Sequence, residues 1–384
     1  MSDDLTPLPP AGRNRYDLKE LSGAFGDLGT LVPFVVAYLA IVKMDPGGVL
    51  LGFGVAMVAT GLWYRTPFPI QPMKAIGAAA ATQAAGVAIT PAIVVGAGVA
   101  TAAIWLILGA TGLAKRFAEW IPRPALLGVV LGLGFSFMLE GIRMMASSAA
   151  LAAALLAFAL LAHSRLPTML LLLATGVGVA LWDEPTLAAQ VAAIEPALRL
   201  PAFAWSELSA SDLWLGAVLL ALPQLPLTFG NALVAITSEN NRLFPDRPVT
   251  ERGVAISTGL ANAFTSAVGG VPVCHGAGGM AGHVQFGART GGATVMLGIL
   301  LAVLALFFGE SVHLLLRLFP TPVLGVILFL AGAQLALSSR EGGEERVGRF
   351  VLLTTAAFTV IHVGVAVVFG ILAYHASKRG WLKP

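Results

Sequence analysis

The sequence predicts an all-α polytopic membrane protein, built as a seven-plus-seven transmembrane inverted repeat with two half-helices that follow short extended segments. Hydrophobic residues make up 57% of the 384 residues and charged residues only 11%, whereas soluble domains carry about 25% charged residues. Apolar runs of membrane-spanning length recur along the chain. Two further apolar segments, residues 67–86 and 271–284, open with prolines and continue in small residues at corresponding places in the two halves.

Ten apolar runs approach the roughly 20 residues that cross a bilayer as one helix. We expect residues 347–377 to add two short helices that break near His362 and Gly364. With the two interrupted segments, these make fourteen segments, seven in each half. The ten runs are residues 21–42, 47–64, 91–113, 124–141, 148–163, 167–182, 212–238, 250–268, 292–309 and 321–338.

The basic residues predict how the chain is oriented. With the N-terminus in the cytoplasm, one of the 23 Lys and Arg residues, Lys74, lies within a segment, and 18 fall on the cytoplasmic side. This is the positive-inside distribution of membrane proteins. We therefore expect an integral protein of a bacterial-type plasma (inner) membrane, in contact with the lipid bilayer and with both termini in the cytoplasm. The four external basic residues are Lys43, Arg143, Arg199 and Arg317.

An internal repeat divides the chain. Residues 122–131 resemble residues 320–328 at an offset of about 198, and residues 69–71 align with 272–274 at about 203. Chance is the alternative explanation, because Pro, Leu, Gly and Val are common in this composition. An odd number of spans in each half makes the repeats inverted. The predicted organisation is a tail 1–20, repeats 21–182 and 212–377, a linker 183–211 outside the membrane, and a tail 378–384.

The two interrupted segments are the best sequence indication of a transporter site. A helix that begins inside the membrane exposes unpaired backbone N–H groups, and these groups favour an anion. Lipid cannot satisfy them, so they must face protein or a wet cavity. Lys74 is the one cation away from the loops, and a structural pair with Asp27 is its other reading. The candidate substrate-binding residues are Gln71, Met73, Lys74, Thr228, Asn231, Cys274, His275, Gly276 and Ala277.

Other polar residues near these segments are predicted to serve coupling or structure. Asp27 is an acid within an apolar span, and such residues are functional by default. Because a carboxylate repels an oxyanion, we place Asp27 outside direct substrate contact. Arg289 lies just beyond the second segment and is expected to be an orientation anchor or gate charge. This group comprises Asp27, Thr30, Gln224 and Arg289.

The adjacent Cys274 and His275 raise the alternative of an intramembrane enzyme or a metal site. Neighbouring residues of an extended segment point in different directions, and a lone Cys-His is a weak metal signal. The glycines that follow lack the Gly-Lys-Ser ending of a nucleotide loop. We therefore expect no catalytic residues, no metal, no cofactor and no nucleic-acid partner, and we expect that the chain is not an enzyme.

Four short runs resemble the molybdate transporter family, which is related to the sulfate permease (SulP) family. The resemblance implies the seven-plus-seven fold shared with uracil permease and prestin, with substrate between the half-helices and movement by alternating access. It also suggests a homodimer. The runs are 26–29 (Gly-Asp-Leu-Gly), 71–74 (Gln-Pro-Met-Lys), 272–279 (Pro-Val-Cys-His-Gly-Ala-Gly-Gly) and 286–291 (Phe-Gly-Ala-Arg-Thr-Gly).

The resemblance leads us to expect a secondary active transporter of a tetrahedral oxyanion, with molybdate first and tungstate or sulfate as other substrates. Charge alone cannot separate molybdate from sulfate, because both are tetrahedral dianions. An anion channel of the same fold stays open as an alternative. A nucleobase permease is a further alternative, although it would need a carboxylate at the second segment and residues 274–276 offer none.

Overall fold

Helices and two short strands form the part of the chain that the structure describes. The computed structural model describes residues 13–74, 76–77, 88–161, 168–337, 339, 346–361 and 363–382. The first half contains α1 Leu18–Ala24, α2 Leu28–Ala37, α3 Pro46–Tyr64, β1 Gln71–Pro72, α4 Pro91–Ala110, α5 Leu113–Ala118, α6 Arg123–Met145, α7 Ala149–Leu161 and α8 Thr168–Asp183. A 3₁₀ turn, Phe25–Asp27, joins α1 to α2, and π-helical residues Tyr38–Val42 extend α2.

The second half repeats this order after α9, Pro185–Ala192. Its elements are α10 Ala210–Leu215, α11 Leu222–Leu227, α12 Ile236–Leu243, α13 Glu251–Ala267, β2 Val273–Cys274, α14 Ala277–Gln285, α15 Gly292–Phe308, α16 Val312–Leu316, α17 Thr321–Leu337, α18 Arg346–Ile361 and α19 Val363–Lys378. π-helical residues Gly216–Ala221 and Thr228–Ala235 link α10, α11 and α12.

Most predicted spans coincide with helices, and three regions differ in detail. The predicted spans 124–141 and 148–163 are joined by a 3₁₀ turn, Ala146–Ser148, without a loop. The span predicted at 212–238 is bent by 53° between its two parts, where Pro223 and Pro226 each remove a backbone donor. The predicted linker contains α9. Residue 75 and residues 78–86 of the first interrupted segment, and His362, lie outside the described residues.

Length and composition identify some of these helices as membrane spans on their own. Five described helices are long and apolar enough to cross a membrane, or up to seven if each of two bent pairs counts as one span. The other predicted segments are shorter helices or extend beyond the described residues.

Helix packing relates the two halves by an approximate two-fold exchange. Helix α3 packs along α15, and α13 packs along α4. At the predicted offset, α3 corresponds to α13 and α4 corresponds to α15. The packed pair α3 and α15 therefore becomes the packed pair α13 and α4 when the two halves are exchanged. Helices α6 and α17, which correspond to each other, pack together directly. A Cβ atom on Gly134 would lie 2.7 Å from the carbonyl oxygen of Gly332, and the reverse distance is the same.

The two strands meet at the centre of this arrangement. They pair antiparallel, with Gln71 opposite Cys274 and Pro72 opposite Val273. Asn262 on α13 holds β2, because its Nδ2 donates to the Val273 carbonyl (2.7 Å) and its Oδ1 accepts from the Val273 N–H (3.0 Å). The strand pair therefore brings the starts of both predicted half-helices to one place.

Candidate functional site

Gln71 is fully buried beside β2, and its side-chain amide donates hydrogen bonds to residues of the first half of the chain. Its Nε2 donates to Asp27 Oδ1 (2.5 Å) and to Thr30 Oγ1 (2.8 Å). The Thr30 hydroxyl also hydrogen-bonds to the Asp27 side chain. Both N–H groups of Gln71 therefore have partners. Direct donation from Gln71 to a bound anion would require its amide to release Asp27 or Thr30.

Lys74 lies at the start of the first half-helix, where Lys74, Ile76 and Gly77 are helical. Its Nζ atom is buried without a hydrogen-bond partner among the described residues. The same atom lies 3.6 Å from the ring centroid of Phe137 on α6. A buried ammonium group that has no hydrogen-bond acceptor can bind an anion.

The N-terminus of the second half-helix, α14, lies beside Gln71 and Asp27 and has no side-chain cap. Its N-cap residue, Gly276, makes no side-chain cap hydrogen bond. A Cβ atom on Gly276 would lie 1.7 Å from Gln71 Oε1, and one on Gly279 would lie 2.9 Å from Asp27 Oδ2. Only glycine lets the backbone of α14 approach these side chains so closely. The N–H groups of Ala277 and Gly278, the first two residues of α14, precede any acceptor within the helix, whereas the Gly279 N–H donates to the Gly276 carbonyl (3.0 Å).

Several buried polar atoms around this point have no hydrogen-bond partner in the described part of the chain. Such atoms are uncommon in proteins and mark places where a ligand or water is to be expected. Asn231 belongs to the same cluster, since a Cβ atom on Gly276 would lie 3.6 Å from its Nδ2. The unpartnered atoms are Asp27 Oδ2, Gln71 Oε1, Lys74 Nζ and Asn231 Oδ1.

The remaining predicted site residues are buried and hold the strands and half-helices together. Met73 N–H donates to the Pro272 carbonyl (3.0 Å). Gln224 accepts from the Ile76 N–H (3.3 Å) and donates to Thr228 Oγ1 (2.9 Å). The backbone of Cys274 pairs with Gln71, and Ala277 is the first residue of α14.

His275 and Arg289 point away from this cluster. His275 Nδ1 donates to the Pro69 carbonyl (2.9 Å), and Nε2 lies 2.8 Å from the Ser257 hydroxyl. Arg289 donates to the carbonyls of Val284 and Ala288, at the C-terminal end of α14, where a cation is favourable. In this structure, both residues therefore hydrogen-bond to groups that surround the site. Substrate contact by His275 stays a prediction.

Sequence analysis missed Phe137 and Asn262. Phe137 has no sequence signal, because one phenylalanine in an apolar helix looks like any core residue. Asn262 does carry a signal, since a polar amide within an apolar span needs a partner. Among the described residues, no group of three or more His, Cys, Asp or Glu is placed to hold a metal ion.

A cavity leads to the cluster. It has a volume of about 360 Å³ and is lined by Thr30, Lys74, Gly77 and Phe137, among others. A larger crevice of about 950 Å³ contains Lys43, His313 and Arg317. The cavity and the crevice share three lining residues, Pro33, Glu140 and Met144. The cavity beside Lys74 and the crevice are therefore adjacent.

Facing half-helices at a pseudo-symmetry centre, with a buried cation between them, define the class of membrane transporters built from inverted repeats. Residues 19–137 and 216–335 match the family described as "Molybdate transporter of MFS superfamily". The chain belongs to this molybdate transporter family, which confirms the resemblance seen in the sequence and places it among transporters rather than enzymes.

Relatives of this family align along nearly the whole chain. Molybdate transporter 2 of Arabidopsis thaliana is 31% identical, covering 96% of this chain and 91% of that protein. Molybdate transporter 1 of the same plant is 28% identical, over 94% and 88%. Molybdate transporter 1 of Chlamydomonas reinhardtii is also 28% identical, over 93% and 92%.

Solved structures show the fold. The transmembrane domain of the cyanobacterial bicarbonate transporter BicA matches with a TM-score of 0.55 at 15% identity, covering 91% of this chain and 97% of that chain. The murine anion transporter Solute Carrier 26 family member A9, in its inward-facing state, matches at 0.62 and 12% identity, over 98% and 70%. The predicted seven-plus-seven inverted-repeat fold is therefore confirmed, although the family's description refers to the MFS superfamily.

Proposed function

We propose that this chain is a secondary active transporter that binds molybdate between the two facing half-helices and moves it by alternating access. The observation that carries the proposal is the buried Lys74 Nζ, which has no hydrogen-bond partner among the described residues, beside the uncapped start of α14. A molybdate dianion must lose most of its water to enter such a site. The ammonium group and the free backbone N–H groups would replace that water.

Some residues of this cluster supply charge to the proposed site, and others position the charged groups. Gln71 and Thr30 hold Asp27 Oδ1 through hydrogen bonds, whereas Oδ2 lies against the first turn of α14. Lys74 then supplies the positive charge, and Gly276 and Ala277 supply backbone donors. The names of the relatives support molybdate, and nothing in the charges of the site separates it from tungstate or sulfate.

Orientation and assembly complete the proposal. Both tails are cytoplasmic, repeats 21–182 and 212–377 flank an extracellular linker 183–211, and the protein forms a homodimer in a bacterial-type plasma membrane. The basic residues support this orientation through the positive-inside rule.

Binding of molybdate to the purified protein tests the function. We expect calorimetry to show saturable binding of molybdate and tungstate at micromolar concentrations, with weaker competition by sulfate and none by uracil. Absence of binding for every oxyanion would overturn the proposal. Binding of uracil alone would favour a nucleobase permease, and ion flux that does not saturate would favour a channel.

A further inference from the structure

Phe137 occupies the space beside the two groups that the proposed function assigns to the anion. Its ring centroid lies 3.6 Å from Lys74 Nζ. A Cβ atom on Gly278, in the first turn of α14, would lie 1.7 Å from Phe137 Cε2. The ring therefore covers the cation and the start of the second half-helix at the same time.

Phe137 lies on α6, a helix separate from the two half-helices. Helix α6 packs mainly along α17 and α18, and its Phe137 lines the cavity of about 360 Å³. Pro33, Glu140 and Met144 line both this cavity and the larger crevice, so the two lie next to each other. Phe137 therefore lines the cavity and also contacts the first turn of α14.

A phenyl ring is a weak partner for an ammonium group. Its face attracts the cation through the ring quadrupole, and this attraction changes an equilibrium constant by about two- to thirtyfold. An oxyanion interacts more strongly, because it brings full negative charge and hydrogen-bond acceptors. The ring can therefore hold Lys74 in the empty site and yield to an anion.

We propose that Phe137 is a plug that closes the empty anion site and is displaced from Lys74 when the anion binds. This inference rests on the proposed function, since it assigns the displaced ring to the same site. Its consequence is that wild-type affinity is reduced by the free energy needed to move the ring. Removing the ring should therefore tighten molybdate binding. If Phe137 only lined the site, removing its ring would weaken binding.

The test compares Phe137→Ala and Phe137→Leu with Phe135→Ala, by calorimetric titration of the purified full chain with molybdate. Phe135 is the matched control, because it lies on the same helix and is 48% exposed. We expect the dissociation constant to fall by about two- to thirtyfold in both Phe137 variants and to stay unchanged in the control. Phe137→Leu retains most of the apolar volume, so it keeps the test available if the alanine variant does not fold.

The outcomes separate the two proposals. Molybdate binding by the wild type that is unchanged or weakened in the folded Phe137 variants would overturn the plug alone. Absence of oxyanion binding by the wild type would overturn the proposed function and the plug with it. Tighter binding in the Phe137 variants, with wild-type affinity in Phe135→Ala, would support both.

Discussion

Replacing Gly276 by alanine would place a methyl group where the side chain of Gln71 now lies. The backbone of Gly276 is extended (φ −92°, ψ 129°), a conformation open to alanine, so the effect is steric. The new Cβ atom would lie 1.7 Å from Gln71 Oε1 and 2.8 Å from its Cδ. Ordinary van der Waals contact begins at about 3.4 Å, so the Gln71 amide would have to move by about 1.7 Å.

Such a movement breaks the hydrogen bonds that orient the site. The bonds from Gln71 to Asp27 and Thr30 measure 2.5 and 2.8 Å, and they do not survive a displacement of this size. A buried hydrogen bond to a charged group contributes about 1.5–3 kcal/mol and a neutral one about 0.5–1.5 kcal/mol. We therefore expect Gly276→Ala to lower the free energy of unfolding by about 2–4 kcal/mol.

Molybdate affinity should fall as well, because the added methyl group and the displaced amide change the shape of the site at the start of α14. A loss of about 1.4 kcal/mol corresponds to a tenfold higher dissociation constant, and we expect at least that. Thermal unfolding with and without molybdate, together with calorimetry, measures both effects. Gly178→Ala is the control, because a Cβ atom there meets no other described atom within 4 Å. Wild-type stability and affinity in Gly276→Ala would refute the placement of Gln71 against α14.

Three further predictions concern the buried cation, the residue that holds β2 and the orientation of the chain. Lys74→Met should raise the molybdate dissociation constant tenfold or more, because it removes a buried charge from the site; an unchanged constant by calorimetry would place the anion elsewhere. Asn262→Ala should lower the free energy of unfolding by about 2–4 kcal/mol, since Asn262 bonds both backbone groups of Val273; a thermal midpoint equal to wild type would contradict this. A cysteine at Ser164, outside the described residues, should react with an impermeant thiol reagent only from the cytoplasmic side, and external labelling would reverse the predicted orientation.

Segments bounded by turn residues were predicted closely. The span predicted at 47–64 is α3, Pro46–Tyr64, and the described residues of 347–377 lie in the two predicted short helices, α18 and α19. The sequence predicts these segments because lipid requires a continuous apolar run in each spanning helix. The direct join at Ala146–Ser148 was not predicted, because two serines in an apolar stretch suit a helix as well as a turn.

Within the candidate site, the sequence indicated the residues but not all of their roles. The prolines and glycines around Gln71 and Gly276 predicted the two half-helices, whereas the antiparallel pairing of the two strands was not predicted. Gln71 and His275 were expected to face substrate. That contact stays a prediction; in the structure, Gln71 donates to Asp27 and Thr30, and His275 donates to the Pro69 carbonyl. Hydrogen-bond partners so distant in the chain leave no local pattern.

The sequence by itself determined the membrane class, the inverted repeat and the location of the two interrupted segments. These properties depend on composition and local backbone chemistry, which each segment carries on its own. Only the tertiary structure decided that Lys74 lies against Phe137 and that Gly276 abuts Gln71. Such contacts depend on how helices from different parts of the chain pack, and a close approach is selected by the shapes of both partners together.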